Sequence, residues 1–442
     1  MEVHLEEASF LWTQWEQSLW ALDYQVAELE QGEERRLLAH LDALVLGGRP
    51  VAERLLFPAL AGDDAGGTRA ATFALSGAED ADWQDAIREL LVEGDTGVVS
   101  SVRRAVELCP RLDLNPMLLR WATTVPPHRQ AEVLAALRSR QVDVSPVLGA
   151  LAVRDELPVL AEVVRAACFT PRSVSEGLVR QGLADPDPHV LAAALEAGLV
   201  VKGRDAWSRA RKLVEAGGDV PRSALLALAL GGDSRELEAL LSTMNEPALR
   251  EEALWALGFN GRLAAADAAF EALQSSGDRL AAESFAAITG LPLDAPFLEM
   301  EQSEDDEAFE QELLDAEEPA ARESDTADTP APASLLPGPV ALQGEVLVAR
   351  VEAWWAEARK RFDPAVRYLR GIPMTAESLP AALAQEPLRR RAVLLWDLAI
   401  RSQGAYQVES RTWLHAQRQQ AEATPLPRTD LLQRTYSKLF GG

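Results

Sequence analysis

Trp12, Trp15, Leu19, Leu22, Val26 and Leu29 recur at intervals of three and four, with Gln14, Glu16, Gln17, Asp23 and Gln25 between them. Positions spaced this way share one face of a helix, so residues 1–32 read as an amphipathic helix with an aromatic stripe, suited to capping whatever follows. After Gly32 the same period runs from Glu33 through Leu37, Leu41 and Leu44 to Gly47-Gly48, and a further helix is expected from Pro50 to Leu60. From Gly67 to Leu291 the pattern is of helices of roughly 10 to 14 residues with short breaks. Gly-Asp steps mark many of these breaks, at 62–63, 94–95, 218–219, 232–233 and 277–278. Glycine ends one helix there, and aspartate suits the N-cap of the next. No alternating β-branched run bounded by hairpin turns interrupts the pattern, which makes the fold class all-α.

A repeat underlies these helices. PHVLAAALEAG, RSALLALALGG, ALREEALWALG and RLAAESFAAITG each run through small apolar residues to a glycine, and Gly198, Gly231, Gly258 and Gly290 lie 33, 27 and 32 residues apart. More amphipathic helices, such as RDAWSRARKLV and SRELEALLS, alternate with them. A two-helix unit of this length buries its apolar face only against its neighbours, which is the logic of a HEAT-like α-solenoid, here expected over residues 33–298.

The pattern then changes. Residues 299–328 hold fourteen acidic residues and one basic residue, followed by the uncharged TPAPASLLPGP, so 299–339 reads as an acidic, Pro-rich and largely disordered linker. Residues 340–442 return to helical periodicity in VARVEAWWAEARKRF and PLRRRAVLLWDLAIRS and are expected to form a small helical domain.

Charge narrows the function classes. The 442-residue chain has 43 basic against 69 acidic residues, a net charge of −26, which leaves −18 on residues 1–298 beside −13 on 299–328 and +5 on 340–442. Phosphate binding needs a basic face, so neither nucleic acid nor an anionic membrane surface is an expected partner. The only cysteines, Cys109 and Cys168, build neither a disulfide framework nor a thiolate zinc site. The acidic N-terminus lacks the pattern of a secretory signal, and the reading is cytoplasmic.

Catalytic signatures are missing from the sequence. His4, His40, His128, His189 and His415 are scattered without metal-ligand spacing, and His40 and Asp42 do not face each other on a helix. Gly62 to Gly67 lacks the strand and the Lys-Ser/Thr ending of a phosphate loop, and no Gly-x-Ser-x-Gly elbow occurs. No catalytic residue, metal or cofactor is expected. Seven of the eleven tryptophans fall near the two ends, at 12, 15, 20, 354, 355, 396 and 413. Because Trp and Arg dominate interface hot spots, Trp12, Trp15, Trp354 and Trp355 are candidate partner anchors. Arg359, Arg361, Arg367, Arg370 and the run Arg389, Arg390, Arg391 are a candidate docking surface, which the acidic linker is expected to occupy until a partner displaces it.

EEASFLWTQW, RRLLAHLDAL, SFAAITGLPL, WWAEARKRFDPAVRYLRGIP and LRRRAVLLWDLAIRS together resemble an uncharacterised proteobacterial HEAT-repeat family present in several copies in myxobacteria. The resemblance covers nearly the whole chain apart from the acidic linker, although Ala43 stands where the family pattern His-Leu-Asp-Gly-Leu has glycine. No active site comes with it. It implies association with type VI secretion gene clusters, hence a scaffold or adaptor, an effector-loading or spike-associated chaperone, whose partners are secretion effectors or spike proteins. The alternative is an enzyme or enzyme subunit of the HEAT-like lyase kind, which requires a deep pocket with perturbed carboxylates.

Overall fold

The computed structural model describes residues 1–299, 334–340 and 344–441, apart from positions 22–23, 79, 154 and 202. The fold is all-α, a helical-repeat solenoid with a C-terminal helical region, and among the described residues none of its helices is long and apolar enough to cross a membrane.

The N-terminal helix α1 (Glu2–Ser18) stops earlier than its periodicity suggests. A new helix opens at Val26, where Gln25 and Glu28 form a capping box that satisfies the free backbone N–H groups of a fresh start. It passes through one wide π turn, Glu30–Glu34, into α2 (Arg35–Leu46), so Gly32 is absorbed by the turn and does not end the helix.

The solenoid proper is a row of inner helices: α3 (Ala65–Gly77), α4 (Thr96–Leu108), α5 (Pro127–Ser139), α6 (Leu157–Arg165), α7 (Pro188–Val201), α8 (Arg222–Gly231), α9 (Arg250–Leu257) and α10 (Arg279–Thr289). Their first residues lie 28 to 34 positions apart, and each packs on the next. The period seen in the sequence over 188–290 thus extends back to Ala65. Less buried helices alternate with them, including Arg172–Ala184, Arg204–Ala216 and Leu263–Ser276. Asp95 and Asp278 cap α4 and α10 as their Gly-Asp steps suggest, whereas α3 is capped by Asp64, the residue after the expected one. Asp219 caps nothing, because α8 begins after Pro221.

Helices α7, α8 and α10 are buried without a break over Val190–Val200, Ser223–Gly231 and Leu280–Thr289. A helix apolar all round must be covered all round. Its neighbours in the row cover two sides, and the C-terminal region covers the remaining inner side. That region comprises α11 (Val348–Ala358), α12 (Leu388–Arg401) and α13 (Leu414–Ala423). Its apolar side chains do not assemble a core of their own. Val351, Trp355, Val393, Leu394 and Tyr436 enter the core of the second half of the solenoid, while Trp413 and Leu414 enter that of the first.

Two short antiparallel pairs secure the far end. One joins β1 (Leu298–Glu299) to β2 (Glu345–Val346), and the other is the hairpin of β3 (Tyr368–Leu369) and β4 (Ile372–Pro373). The hairpin turn donates from Arg370 and Gly371 to the carbonyls of Ala287 and Ile288, so it satisfies acceptors that the end of α10 leaves free. Gly290, left-handed at φ +77°, permits the approach, since a Cβ there would lie 2.4 Å from the Arg370 carbonyl oxygen.

Candidate protein-binding groove

The C-terminal region crosses the inner row as a strap. Arg389 makes two hydrogen bonds of 2.6 Å to Glu283 of α10, and Arg390 donates to the Gly258 carbonyl at the end of α9. Trp396 Nε1 donates to the carbonyl of Glu196 on α7, and Arg401 to that of Leu230 on α8. Further on, Trp413 donates to the Leu108 carbonyl at the end of α4 and packs against Trp12, Trp15 and Phe73. The Leu414 and His415 amides then close on the buried carboxylate of Glu34, which also accepts from Trp15.

A second stretch of chain, Ser334–Gly338, lies in the same groove. Ser334 donates to Glu196 at 2.5 Å. The next carbonyls are taken by side chains in turn: Leu336 by Arg222 Nη1 at 3.0 Å, Pro337 by Trp255 Nε1 at 2.9 Å, and Gly338 by Arg389 Nη1 at 3.2 Å. Residues 300–333 of the expected linker lie outside the described residues, but its final part, expected to be disordered, is ordered and packed. The reason is local: Leu336 is apolar, and the proline and glycine carbonyls meet donors already in place.

Beyond Leu335, toward the first half, the lining turns ionic. Glu16, Arg104, Glu107, Arg103 and Glu132 form one chain of ion pairs, and Glu409, Arg138, Glu162, Arg165 and Glu196 form another. Burial raises the Glu162 pKa, but Arg138 and Arg165 outweigh it and hold the carboxyl below its ordinary value. Glu196 is the exception, since burial pushes it up further than Arg165 and Ser334 pull it down. Two cavities lie here, one of about 490 Å³ along α5 and α6 and one of about 160 Å³ between α7, α12 and the stretch 407–411, which share Arg138, Arg165, Leu335 and Arg411. Ala131, Ala135, Leu157, Pro158 and Ala161 make the apolar wall of the larger one.

Most residues that the sequence offered as partner contacts are elsewhere. Trp12, Trp15 and Trp355 are buried in the cores, and Trp354 is half-buried between Phe285 and Phe297. Arg389 and Arg390 are not a docking surface: they stack on Trp255, at 4.3 and 4.9 Å, and neutralise Glu283. Arg391 is buried on Gln417, and Arg367 donates to the Asn260, Phe259 and Leu432 carbonyls and to Asp397. The cause is side-chain reach. Three consecutive arginines on a helix point in three directions, and in α12 each meets a carboxylate, carbonyl or amide of the interior that its long side chain can reach. Only Arg359 and Arg361 are exposed, Arg359 paired with Asp267, while half-buried Arg370 lies 3.9 Å from Glu386.

Glu196, Arg222, Trp255 and Arg138, which do line the groove, were missed. A lone acid in an otherwise apolar helix, as Glu196 is in AALEAG and Glu283 in RLAAESFAAITG, was the available signal, because a buried charge requires a partner. Burial pushes the Cys168 thiol up to about 12, which disfavours the thiolate. Among the described residues no cluster of His, Cys, Asp or Glu is arranged to hold a metal ion.

No family model matches the chain, and no curated protein does. Among solved structures it is similar to an engineered protein from the Northeast Structural Genomics Consortium, with 15% identity and a TM-score of 0.29 over 63% of this chain and 87% of that one. At that distance the likeness carries no argument about what this chain does.

Proposed function

We propose that the protein is a non-catalytic protein-binding scaffold or adaptor that receives its partner in the groove between α5, α6 and α7 and the stretch 407–411. The observation that carries this reading is the ionic lining around the 490 Å³ cavity. Buried charge pairs contribute little net stability compared with apolar packing, so ion pairs concentrated along α4 to α6 beside cavities that the strap leaves unfilled are not accounted for by stability alone. A wall of Ala131, Leu157 and Ala161 rimmed by Arg and Glu has instead the anatomy of an interface, apolar at the centre and polar at the edge. Leu157, 50% exposed, is its accessible anchor. An effector-loading or spike-associated chaperone is the specific form of this reading, supported by the resemblance of the end segments.

A photo-crosslinking residue placed at Leu157 should trap a protein partner in the native cytoplasm, while the same residue at Leu112, also exposed but away from the groove, should not. Equal trapping at both positions, or none at Leu157, would sink the proposal. One feature favours an enzyme instead: the raised Glu196 carboxyl lines the smaller cavity, as a general acid would. That reading requires a small-molecule turnover that Glu196→Gln abolishes.

A further inference from the structure

We propose that the groove is a receptor for an extended peptide of a partner protein, and that Ser334–Gly338 is a built-in occupant which that peptide displaces. The inference rests on the scaffold reading and names the chemistry of its partner. Three successive carbonyls of the segment are each met by a side-chain donor from a different element, Arg222 of α8, Trp255 of α9 and Arg389 of α12. Donors directed at main-chain carbonyls accept any chain of the same backbone path, so the contacts define a class of ligand rather than one sequence. They are also held in place independently of the segment. Glu252 grips Arg222 through hydrogen bonds of 2.6 to 3.1 Å, and Glu283 and the Trp255 ring fix Arg389. Such preorganisation lowers the cost of exchanging one peptide for another.

Selectivity comes from few features. A hydroxyl is read by Glu196, an apolar side chain fills the place of Leu336, and proline and glycine follow where the path is narrow. At Gly338 a Cβ would lie 2.4 Å from Arg222 Nη2. The site also extends past the segment, because Leu335 borders both cavities and the larger continues along α5 and α6. A tethered occupant competes at an effective concentration on the order of millimolar. A partner peptide therefore needs contacts that Ser334–Gly338 does not make, and the ionic stretch around Arg138 and Glu162 offers them to a chain carrying charges of both signs.

The test uses the full-length protein and a fluorescein-labelled peptide with the sequence of residues 331–340, APASLLPGPV, followed by anisotropy. Leu336→Asp in the protein should eject the occupant and strengthen probe binding at least tenfold, on the order of the tethering advantage removed. Adding Trp255→Phe to that variant should weaken it about fivefold, as loss of one hydrogen bond of about 1 kcal/mol implies. A folded Leu336→Asp protein that binds no better than the unaltered one would overturn the proposal. If that variant fails to fold, hydrogen exchange on the unaltered protein decides: excess probe should speed exchange at the Leu335 and Leu336 amides, and no change overturns it. A doubled mass by light scattering, abolished by Leu336→Asp, would reassign the site to the segment of a second copy. Loss of these effects with crosslinking at Leu157 intact ends this proposal alone, whereas loss of the crosslink ends the scaffold reading.

Discussion

The two halves of the solenoid solve the same packing problem with different proportions of apolar and ionic contacts on their inner face. From α7 to α10 the inner surface is mostly alanine and leucine, a charge such as Glu283 is neutralised by strap arginines, and long unbroken runs of α7, α8 and α10 are buried. From α4 to α6 the corresponding surface carries Arg104, Glu107, Arg138, Glu162 and Arg165, and the strap touches it in places, as where Arg104 donates to the Arg411 carbonyl, and leaves cavities between. Both halves repeat at the same interval, so the period does not dictate the lining. What differs is how closely the strap covers each lining: it packs tightly on the second half, whereas along α5 and α6 it leaves space that, we propose, a partner fills.

The sharpest way to break this contrast is at Asp397, which lies between buried Arg367 and Arg401 and accepts from Tyr436. Burial raises its pKa, and the two arginines outweigh that and hold it ionised. Asp397→Ala strands two cations and should cost about 3–5 kcal/mol in urea unfolding. A loss under 1 kcal/mol would mean the strap is not held by its charges. Next, Gly231→Ala drives a methyl against the Tyr436 ring, 2.0 Å from its nearest atom, and should cost about 1–3 kcal/mol, recovered in part by Tyr436→Ala.

A smaller effect is expected where the strap meets the first half. His415 is held above its ordinary value of 6.5, first by its hydrogen bond to Glu34. A raised folded-state value means the charged pair contributes fully below about pH 6.5 and that the contribution fades as pH rises through the folded value. Urea midpoints of His415→Gln and the unaltered protein should therefore differ at pH 6 and converge by pH 9, and divergence on going alkaline would contradict the assignment. Smallest of all, Leu157→Ser should shift stability by no more than about 0.5 kcal/mol while weakening partner capture. A large loss of stability there would show that the cavity wall is part of the core.

The fold class was legible because helices of strict period and Gly-Asp punctuation state it locally. Fewer of the repeats were, since α4 to α6 lack the Ala-Leu-Gly signature: charged residues such as Arg104, Glu107 and Arg138 stand on faces that α7 and α8 fill with alanine and leucine. The site was not legible. Residue type alone marks tryptophan and arginine as surface anchors, whereas Trp12, Trp15, Arg389 and Arg390 find their partners hundreds of positions or several repeats away, and no local pattern reveals such pairings. Even the terminal glycines had a second task. Gly231 and Gly258 admit Tyr436 and Arg390 of the strap, beyond closing helices.

The strap also bears on how the protein is made. An ordinary repeat array folds unit by unit as it leaves the ribosome, each repeat needing only its neighbour. Here the cover for α7 to α10, and the Trp413 that completes the core beside Trp12 and Trp15, are synthesised after every repeat they protect. The nascent chain therefore carries its unsealed alanine and leucine helices until the strap has been synthesised. Once Trp413 arrives, contacts spanning hundreds of residues join both halves into a single cooperative unit, slow to assemble and unable to flex like a free spring.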